Sequence, residues 1–215
     1  MRPSDKQPSD MRPSDNLDAA YALQTPDDNR RLYAGWAASY DADFAQRAGY
    51  RLPEAVAAAF AGEKGTGPVL DVGAGTGLVA ERLAARGLGL VDGTDISAEM
   101  LEVARAKHHY RNLILGDVLE GLPVADGAYA GVVSAGTFTL GHLGPAALPE
   151  LVRVAAPGAL FALSINAAHF AAEGFGPALA ALPITGLRLD DVPIYEGGDG
   201  AHGADRAFIA LFRKA

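Results

Sequence analysis

The 215-residue sequence predicts a single α/β domain, a mostly parallel sheet with helices packed on both faces. Downstream of Pro68, short apolar runs alternate with amphipathic segments of helical period, the pattern of repeated strand-helix-strand units. The first of those runs enters a turn with glycines at alternate positions, directly before a helical segment. The carboxyl-terminal stretch then abandons the rhythm for two strand-like runs around a glycine-rich turn, which predicts an antiparallel pair at one sheet edge.

Residues 1–16 repeat Met-Arg-Pro-Ser-Asp at positions 1 and 11 and hold almost nothing to bury, so a disordered tail is expected. Over 17–64 the spacing turns helical. Tyr33, Trp36, Ala37, Tyr40 and Phe44 share one apolar stripe and predict an amino-terminal helical cap on the same domain. Pro53 suits the first turn of a helix through Val56 and Phe60, where its missing N–H costs nothing. A polar linker over 63–67 leads into the core at 65–215.

In that core, 69–72 reads as a buried strand, 78–86 as a helix stopped by Gly87, and 89–94 as a second strand. Ser97 caps a helix that turns Met100, Leu101 and Ala104 inward. Strands are expected at 113–115 and 129–134. Leu148, Leu151, Val152 and Ala155 form the inner face of a helix halted at Pro157-Gly158, before a fifth strand at 160–165. A helix over 170–182 precedes strands at 187–195 and 207–212, joined by a loop at 196–203. Right-handed crossovers between the parallel strands place helices on both faces.

Composition narrows the function. The hydrophobic fraction of 49% and charged fraction of 20% fit one globular domain. Eighteen basic against 26 acidic residues give a formal charge of −8, which argues against a nucleic-acid backbone or an anionic membrane as partner. The absence of cysteine excludes disulfides, thiolate metal sites and cysteine nucleophiles. Apolar stretches stay well under the roughly 20 residues of a membrane helix, and the amino terminus lacks a secretion signal's apolar core. A soluble, cytoplasmic protein is expected. No His, Asp and Glu spacing suggests a metal site.

The sharpest signal is Asp71-Val72-Gly73-Ala74-Gly75-Thr76-Gly77, between a strand and a helix. Glycines there permit positive φ and let a ligand approach the backbone. A dinucleotide fingerprint would need its third glycine at 78, but Leu78 stands there and the glycine falls at 77. A pyrophosphate also wants amide donors without a nearby anion, whereas Asp71 precedes the loop. A carboxylate there suits a cationic ligand such as S-adenosylmethionine, which bears a sulfonium and an ammonium against one carboxylate. Asp95, at the end of the second strand, can accept both hydroxyls of an adenosine ribose, a device that NAD sites share. Asp117, after the third strand, is a third acid at a strand's carboxyl end, placed for an adenine amino group with Val118 beside the ring. The three acids converge on one crevice.

Together, these residues resemble the class I S-adenosylmethionine-dependent methyltransferases, from about Tyr33 to the carboxyl terminus. The acid-plus-glycines motif at 71–77, Asp95 in Gly93-Thr94-Asp95-Ile96-Ser97, Gly116-Asp117, Pro157-Gly158 and the late antiparallel pair carry the likeness. It implies a Rossmann-like, seven-stranded sheet. It also implies that Asp71, Gly73, Ala74, Gly75 and Gly77 surround the methionine part, that Asp95 takes the ribose and that Ile96 and Met100 flank the adenine. Asp117 and Val118 would lie at the adenine's amino edge, and Ser134 to Thr137 beside the methyl group. More narrowly, Tyr40-Asp41, Tyr50-Arg51-Leu52-Pro53 and the string from Gly136 to His142 are similar to Williams-Beuren-region methyltransferase-like proteins. Ala130 departs from the Asp that many relatives place before the fourth strand's apolar core.

Methyl transfer from a sulfonium is an in-line displacement, so positioning and exclusion of water come before any covalent chemistry. The Asn/Asp-Pro-Pro-aromatic string of enzymes that methylate DNA bases is replaced by Ser134-Ala135-Gly136-Thr137. With the negative charge, this points to a small-molecule acceptor. A hydroxyl or protonated amine acceptor needs a general base, for which His142 is the first candidate and His169 a weaker one. His108, His109 and His202 read as surface groups. Tyr40, on the lid-forming amino-terminal helices, is within reach of the ligand's carboxylate. Two alternatives stay open: a nicotinamide-dependent oxidoreductase, and a non-catalytic module that binds S-adenosylmethionine.

Overall fold

The computed structural model describes residues 32, 37, 40, 41, 49–196 and 205–215. The expected tail at 1–16, most of the cap including Tyr33, Trp36 and Phe44, and residues 197–204 with His202 lie outside the described residues.

Helix α1 (Leu52–Gly62) has Pro53 in its first turn and buries Leu52, Val56, Ala57 and Phe60. Strand β1 (Val69–Val72) is buried throughout, because a parallel strand with helices on both faces has no solvent side. It leads to α2 (Leu78–Ala84), β2 (Val91–Asp95), α3 (Ala98–Ala106) and β3 (Asn112–Leu115). Then come β4 (Tyr129–Phe138), α4 (Leu148–Val154), β5 (Ala155–Asn166), α5 (Ala167–Ala172), α6 (Phe175–Ala180), β6 (Ile184–Pro193) and β7 (Arg206–Lys214).

The seven strands are ordered β3-β2-β1-β4-β5-β7-β6. All pairs through β5 are parallel, and β7 runs antiparallel to both β5 and β6. This is the expected Rossmann-like sheet. From β1 the chain winds outward to β2 and β3 and then returns to place β4 on β1's other side. Such a switch in direction opens a crevice at the strands' carboxyl ends.

Several boundaries differ from the expected ones for local reasons. The α2 winding loosens after Ala84, and Gly87 (φ 79°) closes it while Leu88 N–H donates to the Leu83 carbonyl at 3.0 Å. Pro157-Gly158 does not halt α4, which ends at Val154 and passes straight into β5. The pair lies where the β4–β5 register jumps from Tyr129↔Ala155 to Gly131↔Leu160. A proline cannot donate to a ladder, so an irregularity is where a strand tolerates one. The helix expected over 170–182 is two, α5 and α6, divided at Gly174 (φ 73°). β4 continues past Ser134 to Phe138, with a register shift between them.

Two apolar cores flank the sheet: one holds α1 and α2 side chains such as Phe60, Val79 and Leu83, the other α4 and α6 side chains such as Leu151 and Phe175. In the second, Phe161 of β5 faces its register partner Phe212 of β7, with rings stacked at 4.5 Å. Phe161→Ala leaves a cavity there and should cost about 3–5 kcal/mol in urea unfolding. Leu187→Ala, at a side chain 43% exposed on edge strand β6, should stay within about 0.5 kcal/mol of the parent.

Candidate active site

A cavity of about 510 Å³ lies at the switch point. Its walls are the loop after β1, Asp95 at the end of β2 with Ile96 after it, Met100 of α3, Gly116 to Leu119 after β3, and the segment from the end of β4 to Leu143. Tyr40, Tyr50 and Pro53 close it from the amino-terminal side.

Each loop glycine has its own reason. Gly73 (φ 67°) leaves no room for a side chain, since a Cβ would lie 2.0 Å from Thr137 Oγ1. Gly77 (φ 92°) is the left-handed N-cap of α2, with a Cβ position 3.1 Å from the Tyr110 ring. Gly75 (φ 52°) differs: a Cβ there would meet nothing within 4 Å, so its bare backbone faces the open cavity. Four of the loop amides are engaged within the protein. Gly73 and Ala74 N–H both donate to the Thr94 carbonyl at 2.9 Å, Gly77 N–H donates to the Ala74 carbonyl at 2.9 Å, and Gly75 N–H donates to Asp95 Oδ2 at 2.9 Å. Such a loop is a poor phosphate cradle, because that role needs amides pointing at the ligand.

Asp95 is held from two sides, Oδ2 by Gly75 N–H and Oδ1 by Ser97 N–H at 2.9 Å. Burial raises its pKa, and these backbone bonds oppose the rise. Each carboxylate oxygen retains a further lone pair for a ligand hydroxyl. Ser97 caps α3 as expected, its Oγ accepting from Met100 N–H at 3.2 Å. Asp117 Oδ1 accepts from Leu119 N–H at 2.9 Å and caps the turn Val118–Glu120.

Of the predicted ligand contacts, Tyr40, Gly73, Ala74, Gly75, Asp95, Ile96, Met100, Asp117 and Val118 line this cavity, and so does His142. Three others do not. Asp71 is fully buried behind the loop, where Oδ2 accepts from Tyr110 OH at 2.7 Å and Oδ1 finds no partner among the described residues. Burial pushes its carboxyl up to about 7, opposed by the Tyr110 bond and assisted by the charge of Asp95. It supports the loop from beneath instead of meeting a ligand's charge at the mouth. Gly77 caps α2 outside the wall, and Ser134 is buried with its Oγ donating to the Val72 carbonyl at 2.7 Å.

His142 lines the cavity, with Nδ1–H donating to the Leu140 carbonyl at 3.0 Å, which leaves Nε2 as the basic nitrogen. Burial lowers its pKa below 6.5, with the Leu140 bond opposing and His169 adding to the shift. His169 is buried on α5, away from the wall, where Nε2–H donates to the Leu143 carbonyl at 2.9 Å. Sequence reasoning missed this brace, and it also missed Tyr110 and the anchor of the cap. Asp41, beside Tyr40, accepts from Thr76 Oγ1 at 2.5 Å and pairs with Lys107, which also meets Glu81 at 2.8 Å. These partners lie 26 to 66 residues apart, beyond any local signal. Among the described residues no group of His, Asp and Glu could hold a metal ion, and no helix is long and apolar enough to cross a membrane.

A family model described as a methyltransferase domain matches residues 69–158. Human methyltransferase-like protein 27 is 35% identical over 151 residues, covering 68% of this chain and 61% of that protein. An uncharacterized methyltransferase of Mycobacterium tuberculosis is 39% identical over 99 residues, 46% of this chain and 39% of the relative. The chain thus spans about three fifths or less of these relatives' length. Among solved structures, a SAM-dependent methyltransferase of Thermotoga maritima aligns with a TM-score of 0.59 at 16% identity, covering 86% of this chain and 98% of that one. The N-methyltransferase NodS of Bradyrhizobium japonicum, in complex with S-adenosyl-L-homocysteine, gives 0.57 at 16% identity over 75% and 85%. Residues 69–158 are thus similar to a methyltransferase domain, and the chain shares its fold with these two solved structures.

The raised carboxyl of Asp71 gives a pH signature. Between its unfolded value near 3.8 and its folded value of about 7, the folded chain holds a proton that the unfolded chain has lost. Its contribution to stability is therefore present below that window, falls as pH rises through it and is flat above. Asp71→Asn should remove this component, seen as a smaller difference between urea midpoints at about pH 4.5 and about pH 7.5 than in the parent.

Proposed function

We propose that the chain binds S-adenosylmethionine in the crevice between β1 and β4 and transfers its methyl group to a small-molecule acceptor. The observation that carries this reading is Asp95, aimed into the cavity by two amides across from a bare Gly75, in a loop whose Gly73, Ala74 and Gly77 amides are engaged internally. That arrangement offers acceptors to a ribose and little to a pyrophosphate, which favours the methyl donor over a nicotinamide dinucleotide.

In this reading Asp95 binds the ribose hydroxyls, Ile96 and Met100 flank the adenine, and Asp117 and Val118 meet its edge. Gly73, Ala74, Gly75 and Tyr40 surround the methionine part, with Asp41 tying the Tyr40 segment to Thr76 and Lys107. When bound, the sulfonium supplies an activated methyl group. The protein's work is to hold the acceptor in line with it and keep water out. His142, neutral near pH 7 because burial lowers its pKa, can accept a proton on Nε2.

Calorimetric titration should show binding of S-adenosylmethionine and S-adenosylhomocysteine but not of NADH, and Asp95→Ala should weaken it by about 1–3 kcal/mol. Heat with NADH alone would reject the reading. His142→Ala should lower kcat about a hundredfold or more while leaving S-adenosylhomocysteine affinity unchanged. In the parent, the rate should fall with acidification only below pH 6.5, since a base whose pKa is lowered stays deprotonated to lower pH. A protein that binds the donor but never produces S-adenosylhomocysteine across a broad acceptor panel is a binding module.

A further inference from the structure

Lys107 stands at the carboxyl end of α3, where a cation suits the helix dipole, and its side chain is 19% exposed. Its Nζ meets two acids from different parts of the chain, Asp41 beside Tyr40, and Glu81 of α2 at 2.8 Å. Asp41 pairs with Lys107 through Oδ2 and accepts from Thr76 Oγ1 through Oδ1 at 2.5 Å. Thr76 is buried in the glycine loop and lines the cavity. The residue before it, Gly75, donates its N–H to Asp95. Contacts therefore run from Lys107 through Asp41 and the loop to the acid assigned to the ribose.

Two forces act on Tyr40, which lines the same cavity. It packs against the core that holds the α1 and α2 side chains. Apolar contact is non-directional, so packing fixes the depth of a side chain better than its place along a surface. The hydrogen bond and ion pair of Asp41, one residue on, are directional and set where along the loop Tyr40 meets the cavity. Lys107 makes that seat possible. With the cation removed, Asp41 and Glu81 would bring two carboxylates to one point, and their repulsion would push Asp41, and Tyr40 with it, off the loop. These side chains are mostly withdrawn from water, so the pairing counts for more than it would on an open surface.

Resting on the reading that S-adenosylmethionine occupies the cavity, we propose that Lys107 is a positioning residue for that donor. It is not part of the cavity wall. It acts through Asp41, which seats Tyr40 against the methionine part and holds Thr76 in place. Donor affinity and the seating of Tyr40 are then coupled: a bound donor stabilises the seated tyrosine, and a seated tyrosine tightens donor binding by the same factor.

The test measures S-adenosylhomocysteine affinity by calorimetric titration of the full chain, with urea midpoints recorded alongside. Lys107→Met should weaken binding about fivefold or more, and so should Asp41→Asn, which keeps an acceptor for Thr76 but loses the charge. Lys107→Arg, which returns the cation, should restore most of the affinity. If Lys107→Met lowers the urea midpoint, Asp41→Asn provides the comparison. A general loss of stability weakens binding in every background alike, whereas a residue acting through Tyr40 matters little once Tyr40 is gone. In a Tyr40→Ala chain, either substitution should therefore change affinity less than about twofold. Parent-like affinity in both single variants, or the same loss with and without Tyr40, overturns the inference while leaving donor binding standing. So does an arginine variant as weak as the methionine one. Failure of the parent to bind S-adenosylhomocysteine removes both readings.

Discussion

The carbonyl of Val72 is the joint on which the site depends. The β1–β4 ladder pairs Asp71 with Val133 and goes no further, so the last carbonyl of β1 would be left buried and unpaired as β4 diverges. Ser134 and Thr137 both donate to it, at 2.7 and 3.1 Å. These two bonds hold the irregular end of β4 against the start of the glycine loop. Thr137 then fills the space a side chain at 73 would need, Gly136 turns with positive φ, and Tyr50 settles over it. One satisfied carbonyl thus holds the glycine loop and the Tyr50 wall of the cavity at a fixed spacing, on which the proposed methyl transfer would depend.

Two buried acids on neighbouring strands show how partners decide a carboxylate's role. Burial alone would raise the pKa of Asp92, but Arg111 in bidentate contact at 2.9 and 2.7 Å, with Tyr129 and Asn112, lowers it overall. That acid is a structural tie between β2, the start of β3 and β4. Asp71 has a single tyrosine donor and stays high. An acid with a single neutral donor beneath the glycine loop is a costly choice, consistent with a site where geometry outranks stability.

Much of this was legible in the sequence, because the informative signals are local. The strand-loop-helix at 69–84, the Ser97 cap and Asp95 at a strand end follow from periodicity and from residues a few positions apart. What failed depended on distant partners. Asp71 was read as facing the ligand because nothing nearby announces Tyr110, 39 residues on. Pro157-Gly158 was read as a helix stop, since both residues end helices; that they sit in a strand irregularity is set by pairing with β4. The split at Gly174 and the bonds from His169 and Lys107 likewise follow from tertiary packing.

The position of β7 has a consequence for how the chain comes to be folded. The last strand in sequence is an interior one, inserted between β5 and β6, and Ala215, just after it, donates its N–H to the Pro183 carbonyl at 2.8 Å. A nascent polypeptide still missing residues 206–214 therefore presents β5 with a bare edge and β6 with no neighbour at all. Maturation of this half of the sheet must wait for translation to pass those residues, and until then the open edge is a template for pairing with another chain.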